Sequence, residues 1–232
     1  MGTEILPKIK VGAIIVAAGE SQRMQGVDKI LAPLGNKSVL AWSIEAFEEC
    51  PAVERIILVN SQSHLGPVKC MAVDHQWTKV ADVCVGGKRR QDSVAAGLKM
   101  LGHCEWVIIH DGARPLVNRD IIERGLQAAQ ETGAAAAAVP VTDTIKLAGD
   151  DMKVIETPPR AHLWAVQTPQ IFRFSILEEA YRQAKGDVTD DAMLVEQAGG
   201  KVKLYLGSYD NIKITTPRDL AVAELMIKGL EQ

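Results

Sequence analysis

Apolar and polar residues follow two different spacings along this chain. Four short runs are apolar almost throughout, which is typical of strands buried on both faces of a parallel sheet. These runs are residues 11–16, 55–59, 80–85 and 106–109. Segments between them have helical spacing, as at Val94, Leu98 and Leu101, and another helix is predicted to follow Asn118. This alternation predicts βαβ units and an α/β fold with a mainly parallel central sheet.

The pattern changes after Val141, where polar residues become frequent. Residues 144–147 and 153–157 alternate between apolar and polar positions on either side of the turn-forming sequence Gly149-Asp150-Asp151. This arrangement predicts a β-hairpin. Because the hairpin is too polar to belong to the core, we expect it to project from the sheet as an arm at about residues 141–160.

Helical patterning returns in the last third of the chain. Ile176 and Ala180 share one face of a predicted helix. The final helix has a defined start, with Thr216 as its N-cap residue and Asp219 three positions later. The chain contains no repeat, linker or low-complexity segment, so residues 1–232 are predicted to form a single domain with one projecting arm.

Composition supports a folded globular protein without a nucleic-acid or membrane partner. Apolar residues make up 47% of the chain and charged residues 24%, which is an ordinary balance for such a protein. The formal net charge is −3 and Lys and Arg form no long run, so a general nucleic-acid-binding function is not expected. We expect neither a secretory signal nor a membrane span, and the apolar run 134–138 is more typical of a buried strand.

The cysteines indicate a reducing compartment. They are Cys50, Cys70, Cys84 and Cys104. They are widely spaced and form no CxxC pair, so we interpret them as reduced, mostly buried side chains rather than as metal ligands. A cytoplasmic protein is therefore expected.

Small residues and cations follow the first predicted strand. Ala17-Ala18-Gly19 comes directly after it, and Arg23 and Lys29 follow. Ligands bind at the carboxyl ends of strands in parallel α/β sheets, and small residues let backbone N–H groups approach phosphates. The two cations could then neutralise a triphosphate. Alternatively, the segment could be a tight strand-to-helix turn with two solvated surface cations.

Two later strands end in comparable loops. One is followed by Gly86-Gly87-Lys88 and then Ser93, which is also typical of a helix N-terminus. The other is followed by His110-Asp111-Gly112, where the Asp can hold a divalent cation against phosphates or form an ion pair with Arg114. Because such loops meet at one edge of a parallel sheet, the three together favour a nucleotide site.

Taken in order, these loops carry the motifs AAGxxxRM with a following Lys, GGxxRxxS and HDxARP. Four further segments continue the series, namely residues 143–146, 167–170, 188–192 and 210–215. The ordered set resembles the 2-C-methyl-D-erythritol 4-phosphate cytidylyltransferase family from about Val11 to the last helix. The resemblance implies a Rossmann-like nucleotidyltransferase domain that transfers a cytidylyl group from CTP to methylerythritol phosphate and releases pyrophosphate, in the non-mevalonate route to isoprenoid precursors.

The resemblance also implies roles for individual residues. Nucleotide contacts are expected from Ala17, Ala18, Gly19, Gly87, Lys88, Ser93, Asp111 and Gly112. Acceptor contacts are expected from Asp111, Arg114, Thr144, Arg160, Thr168, Thr189 and Lys213. The expected catalytic cations are Arg23, Lys29, Arg160 and Lys213, and Asp111 is expected near a phosphate-bound Mg²⁺ or another divalent cation. The family's arm pairs two subunits, which implies a homodimer with Thr144 and Arg160 reaching into the neighbouring subunit's site.

Three positions depart from the residues usual in that family. Ser21 stands where many relatives have a second glycine, Asp28 where a proline is common, and Lys88 where an acidic residue is frequent. Asp28 would repel phosphate unless its carboxylate points away. Lys88 would affect base selection only if its side chain, rather than its backbone, contacts the base.

The implied chemistry needs no general base, because the acceptor's phosphate oxygen is already an anion. The barrier is repulsion between two phosphates, which positioned cations reduce. A cytidylyltransferase for ribitol 5-phosphate or another polyol phosphate shares similar motifs and is one alternative. A non-catalytic nucleotide-binding protein of this fold is the other. A non-catalytic binding protein needs no transition-state cations, so one combined set of residues argues against this second alternative. The set is Arg23, Lys29, Asp111, Arg160 and Lys213.

Overall fold

The computed structural model describes residues 9–19 and 28–230. Its central sheet contains β1 (Ile9–Ala17), β4 (Arg55–Asn60), β5 (Val80–Val85), β6 (Cys104–Asp111), β7 (Ala134–Pro140), β10 (Trp164–Arg173) and β11 (Lys203–Leu206). These seven strands lie in the order β11-β7-β10-β6-β1-β4-β5. Two small two-stranded sheets are formed by β2 (Pro33–Leu34) with β3 (Lys37–Ser38) and by β8 (Leu147–Ala148) with β9 (Val154–Glu156).

Helices cover both faces of the central sheet. They are α1 (Val39–Glu48), α2 (Leu65–Asp74), α3 (Arg90–Leu101), α4 (Arg119–Thr132), α5 (Phe174–Gln183), α6 (Asp191–Gln197) and α7 (Pro217–Leu230). The predicted starts of two helices are confirmed. Asn118 accepts a hydrogen bond from the Ile121 N–H at 3.0 Å, and Thr216 and Asp219 form a reciprocal cap at the start of α7.

The sheet is mostly parallel, as the alternation of strands and helices predicts. β1 pairs in parallel with β4 and β6, β4 with β5, and β7 with β11. The exception is β10, which lies antiparallel between β6 and β7. All four predicted apolar strands and the alanine run of β7 are present. The predicted α/β single-domain fold is thus confirmed.

Both faces of the sheet are buried, which explains why its strands are apolar at successive positions. In β1, Ala13 and Ile15 belong to one core cluster and Ile14 to the other. The helices approach the sheet closely at glycines. A Cβ on Gly97 of α3 would lie 2.5 Å from a methyl group of Ile14, and one on Gly125 of α4 would lie 2.3 Å from a methyl group of Ile171.

The predicted hairpin is present as β8 and β9, with Leu147 opposite Glu156 and Ala148 opposite Val154. Its pairing is shorter than the sequence alternation suggests. Almost all of residues 142–157 are exposed, including Met152, which is 83% exposed at the turn. The segment therefore has no core of its own and projects from the domain, as predicted.

Candidate active site

Three loops meet at the carboxyl edge of the sheet, after β1, β5 and β6. They border a cleft of about 630 Å³, which we call the larger cleft. Nine of the predicted residues line it, namely Ala17, Ala18, Gly19, Lys29, Gly87, Lys88, Ser93, Asp111 and Lys213. A second cavity of about 260 Å³, the smaller pocket, is lined by Arg114, Thr168 and Thr189 and shares Arg90, Asp111 and Lys213 with the larger cleft.

The loop after β5 is shaped by the first turn of α3. A Cβ on Gly86 would lie 2.4 Å from the Ala18 Cβ, so the two loops can approach each other only with glycine there. Ser93 is 2% exposed; its hydroxyl accepts a hydrogen bond from the Gly87 N–H at 3.2 Å and lies 3.2 Å from the Arg89 carbonyl oxygen. The helix N-terminus that the sequence suggested as an alternative is therefore real, and it opens onto the larger cleft.

Asp111 lies at the centre of three cations where β6 ends. Its Oδ1 accepts a hydrogen bond from Arg90 Nε at 3.2 Å, and its Oδ2 lies 2.8 Å from Lys213 Nζ and 3.6 Å from Arg114 Nε. Burial opposes ionisation, but the charges of Arg90, Lys213 and Arg114 outweigh it and hold the pKa of Asp111 well below its usual range. The carboxylate is therefore ionised at neutral pH.

Arg90 connects Asp111 to a second buried carboxylate. Its Nη1 donates to Asp191 Oδ2 at 2.6 Å, and the Tyr181 hydroxyl donates to Asp191 Oδ1 at 2.6 Å. Asp191 is 1% exposed, and its two hydrogen bonds link α3, α5 and α6 next to Arg90, which lines both cavities. Sequence reasoning assigned no role to these residues. The one feature of the sequence that could have indicated a role for Arg90 is its place in the motif GGxxRxxS.

His110 is fully buried and fixes the direction of a short hydrogen-bond chain. Its Nε2 lies 3.3 Å from the Arg114 carbonyl oxygen, which can only accept, so Nε2 carries the hydrogen. Its Nδ1 is then an acceptor, 3.2 Å from the Thr168 hydroxyl, which in turn accepts from the Asp111 N–H at 3.0 Å. Burial lowers the pKa of His110 to about 3, so the ring is neutral.

Other predicted residues lie outside the two cavities. Gly112 is buried beneath the larger cleft, where its N–H donates to Val16 and its carbonyl oxygen accepts from Ser43. Thr144 and Arg160 are exposed on the arm, and neither lines the larger cleft or the smaller pocket. Arg23 and Ser21 lie outside the described residues.

The Asp28 departure has a structural explanation. The Asp28 carboxylate accepts a hydrogen bond from the Ile30 N–H at 3.0 Å and contacts the ring of His64, which precedes α2. These partners hold the carboxylate within the turn. Lys88 is exposed at the rim of the larger cleft.

The described part of the chain holds no group of three or more His, Cys, Asp or Glu side chains placed to bind a metal ion. Within the same residues, no helix is long and apolar enough to cross a membrane. The described residues lining the larger cleft also include no nucleophile paired with a base. Cations around glycine loops, without such a pair, suit transfer between phosphates.

A mostly parallel sheet whose glycine loops border a cation-lined cleft defines an α/β nucleotidyltransferase. The chain belongs to the 2-C-methyl-D-erythritol 4-phosphate cytidylyltransferase family, whose sequence model matches residues 11–229. A relative of that name from Dehalococcoides mccartyi is 49% identical over 94% of this chain and 96% of its own length. Another from Alkaliphilus oremlandii is 45% identical over 94% and 95%.

Solved structures agree with this assignment. The 4-diphosphocytidyl-2C-methyl-D-erythritol synthase of Anaerococcus prevotii superposes with a TM-score of 0.85 at 30% identity, covering 95% of this chain and 99% of its own. The 2-C-methyl-D-erythritol 4-phosphate cytidylyltransferase of Thermus thermophilus superposes with a TM-score of 0.77 at 31% identity, covering 95% and 100%.

Family membership confirms the predicted activity. The chain is an enzyme that transfers a cytidylyl group from CTP to 2-C-methyl-D-erythritol 4-phosphate, giving the CDP-alcohol and pyrophosphate. The reaction belongs to the non-mevalonate route to isoprenoid precursors. The ribitol 5-phosphate alternative is not favoured by these relatives.

Proposed function

We propose that CTP occupies the larger cleft and the acceptor occupies the smaller pocket, with Asp111 at their common wall. One observation carries this proposal: the two cavities share Arg90, Asp111 and Lys213. An acceptor phosphate in the smaller pocket would lie beside the α-phosphate of CTP, which is the placement that in-line transfer requires.

The cations are proposed to lower the repulsion between the reacting phosphates. Lys29 lines the larger cleft, and Lys213 borders both cavities with its side chain 39% exposed. The N-terminus of α3 adds the positive end of a helix dipole beside the same cleft. Arg23 keeps its predicted catalytic role, together with Lys29, on the basis of the motif.

Acceptor binding is proposed to use Arg114, Lys213, Thr168 and Thr189. Arg114 and Lys213 suit the phosphate because both are cations on the wall of the smaller pocket. Thr168 suits a hydroxyl of the polyol instead. Its hydrogen is already directed at His110 and one lone pair at the Asp111 N–H, so its free lone pair can only accept.

Nucleotide selection is proposed to use backbone groups of the loop that contains Gly87 and Lys88. Cytosine donates an N–H at the edge where uracil presents a carbonyl, so a backbone carbonyl there would favour CTP. Exposure of the Lys88 side chain supports a backbone contact. Lys88→Ala should therefore retain most of the preference for CTP over UTP, measured as the ratio of kcat/KM; loss of that preference would assign base recognition to the side chain.

A divalent cation, Mg²⁺ in the first instance, is proposed to enter with the triphosphate. The donor set fits this: Mg²⁺ commonly takes one or two carboxylates plus substrate phosphates, and Asp111 supplies one carboxylate at the cleft wall. Bound there, the cation would neutralise phosphate charge. Asp111 would hold it, while Lys213 and Arg114, which share the same carboxylate oxygen, would be directed toward the acceptor.

The protein is further proposed to be a two-fold homodimer that acts in the cytoplasm. The arm supports this, because its apolar residues are exposed with no core to cover them, and Arg160 lines neither cavity of its own subunit. Four unpaired cysteines suit a reducing compartment.

Subunit complementation tests the shared site. Two variants, Arg160→Ala and Lys29→Ala, are each expected to be inactive alone. They are mixed under conditions in which subunits exchange. If Arg160 serves the neighbouring subunit, the heterodimer holds one intact site and activity returns. Exchange without any return of activity would place Arg160 outside the catalytic machinery of the neighbouring subunit.

The acceptor assignment is tested by comparing kcat/KM for 2-C-methyl-D-erythritol 4-phosphate, ribitol 5-phosphate and unphosphorylated methylerythritol. The unphosphorylated alcohol should be rejected strongly, because it lacks the nucleophile and leaves the pocket cations unpaired. A comparable rate with that alcohol would contradict the assignment of Arg114 and Lys213 to the phosphate.

A further inference from the structure

The segment between α5 and α6, residues 184–190, carries Thr189 to the rim of the smaller pocket. Most of this segment is exposed, and Val188 is its one residue packed partly against a core cluster. Apolar contacts are therefore too few to fix its position. Its placement must depend on polar contacts with neighbouring elements.

One of those contacts comes from β10, where Gln170 Nε2 donates to Asp190 Oδ2 at 2.8 Å. The others that lie before Thr189 or reach the start of α6 from α3 come from three consecutive residues at the start of α3. Arg89 Nη1 donates to Asp187 Oδ1 at 2.7 Å, and Arg90 reaches Asp191 at the beginning of α6. Gln91 holds the backbone itself. Its Nε2 donates to the Gly186 carbonyl oxygen at 3.0 Å, and its Oε1 accepts from the Val188 N–H at 3.1 Å.

Gln91 contacts backbone groups, whereas Arg89 and Arg90 contact carboxylate side chains. The Arg89–Asp187 pair joins side chains that are 48% and 79% exposed, where ion pairs are weak. The Arg90–Asp191 pair fixes the start of α6, beyond Thr189. Gln91 alone of the three binds backbone groups, the Gly186 carbonyl oxygen and the Val188 N–H, just before Thr189. It lies at an unspecified position of the motif GGxxRxxS.

We propose that Gln91 is a positioning residue for the acceptor: it docks the 186–188 backbone on the nucleotide loop and so places Thr189 at the smaller pocket. The inference rests on the proposed assignment of that pocket to the acceptor. Because α3 begins at Arg90, two residues after Lys88, Gln91 connects the two substrate sites rigidly, and the connection does not depend on the side chains of residues 186 and 188.

The test is Gln91→Met, which keeps the side-chain length and removes both hydrogen bonds. The KM for 2-C-methyl-D-erythritol 4-phosphate should rise roughly tenfold, as expected for the loss of two hydrogen bonds that hold a contact in place. The KM for CTP and the kcat at saturation should stay within about twofold of the parent. Gln91→Glu retains an acceptor for the Val188 N–H but no donor for Gly186, so its acceptor KM should be intermediate.

A second measurement separates positioning from general loosening. Hydrogen exchange at the Val188 amide should accelerate about tenfold in Gln91→Met, while amides of the central strands keep their parent rates. The matched control is Gln197→Met, at an exposed position on α6, which should alter neither the Val188 exchange nor either KM.

Thr189→Val is assayed in parallel so that two kinds of failure can be told apart. If Thr189→Val raises the acceptor KM and Gln91→Met does not, the proposal is overturned while the pocket assignment stands. If neither variant changes it, both are overturned. Equal increases in the KM for CTP and for the acceptor in Gln91→Met would also overturn the proposal, because they would make Gln91 a support of the nucleotide loop.

Discussion

Replacing Asp191 by Asn should destabilise the protein strongly, although the change removes no side-chain volume. Asp191 is 1% exposed and receives Arg90 on one oxygen and Tyr181 on the other, each at 2.6 Å. Asn can still accept from Arg90 with its oxygen and offer its amide to Tyr181. What it loses is the charge that balances Arg90.

The magnitude follows from the charges that remain. Without the Asp191 charge, Arg90, Lys213 and Arg114 all depend on the single carboxylate of Asp111. Breaking a buried ion pair by removing one partner costs about 3–5 kcal/mol, and the retained hydrogen bonds place Asp191→Asn near the lower figure. Tyr181→Phe removes one hydrogen bond to a charged group, for which about 1.5–3 kcal/mol is expected.

Urea unfolding at fixed protein concentration provides the assay, because the concentration matters if the chain dimerises. The two single variants and the double variant form a cycle, whose coupling energy should be about 0.5–3 kcal/mol for groups in contact. Arg89→Ala is the matched comparison. Arg89 also pairs with two carboxylates, Asp92 and Asp187, but on the exposed surface, and its loss should leave the unfolding midpoint unchanged.

The reasoning would be refuted by a single result. If Asp191→Asn unfolds at the same urea concentration as the parent, as Arg89→Ala should, then burial adds nothing to this network. The Arg90–Asp191 pair would then contribute no more to stability than an exposed ion pair.

Three further predictions concern pH, catalysis and packing. Burial lowers the pKa of His110 from 6.5 to about 3, so between these pH values the unfolded chain binds one proton more than the folded chain. The free energy of unfolding should therefore fall by about 1.4 kcal/mol per pH unit as the pH drops through this window. His110→Gln should remove this contribution to the slope, as urea unfolding can show. Lys29→Ala should lower kcat by about 10²–10³ with a smaller effect on the KM for CTP, measured by pyrophosphate release. Gly125→Ala should destabilise the protein by about 1–3 kcal/mol, because its Cβ would meet Ile171 at 2.3 Å. Gly66→Ala should not destabilise it, because nothing lies within 4 Å of that Cβ. Differential scanning calorimetry measures both.

Each of these predictions has a contradicting outcome. An unchanged pH slope in His110→Gln would mean that the ring titrates normally or that another group sets the slope. A kcat near the parent value in Lys29→Ala would remove it from the transition state. Equal stability of the two glycine variants would show that α4 can shift away from the sheet at little cost.

The strands that are buried on both faces could be predicted, because such burial requires apolar residues at successive positions. β1, β4, β5 and β6 are apolar at successive positions because helices cover both sides of them. β10 gave no such signal. Its centre contains Gln167, Thr168 and Gln170, which are buried and polar because side chains from distant segments satisfy them, as Asp190 does for Gln170.

The residues of the candidate site also include some that could be predicted and some that could not. Residues on the three strand-end loops could be predicted, because a strand and its following loop are contiguous in sequence. Arg90 and Asp191 could not be paired, because 101 positions separate them and the surroundings of Asp191 suggest an ordinary helix start. The structure assigns that capping role to Asp190, whose side chain accepts from the Met193 N–H at 2.9 Å, and leaves Asp191 turned inward.

The reversed direction of β10 determines where the arm can emerge. Because β10 is antiparallel to both β6 and β7, β7 runs parallel to β6, and the chain leaves β7 at the edge of the sheet that carries the substrate loops. Pro140 and Trp164 already face each other across that exit, so a short turn could join them directly. The arm is thus an insertion between two paired strand ends. Its length could change without altering the pairing of β7 with β10, and it lies at the edge of the sheet that carries the substrate loops.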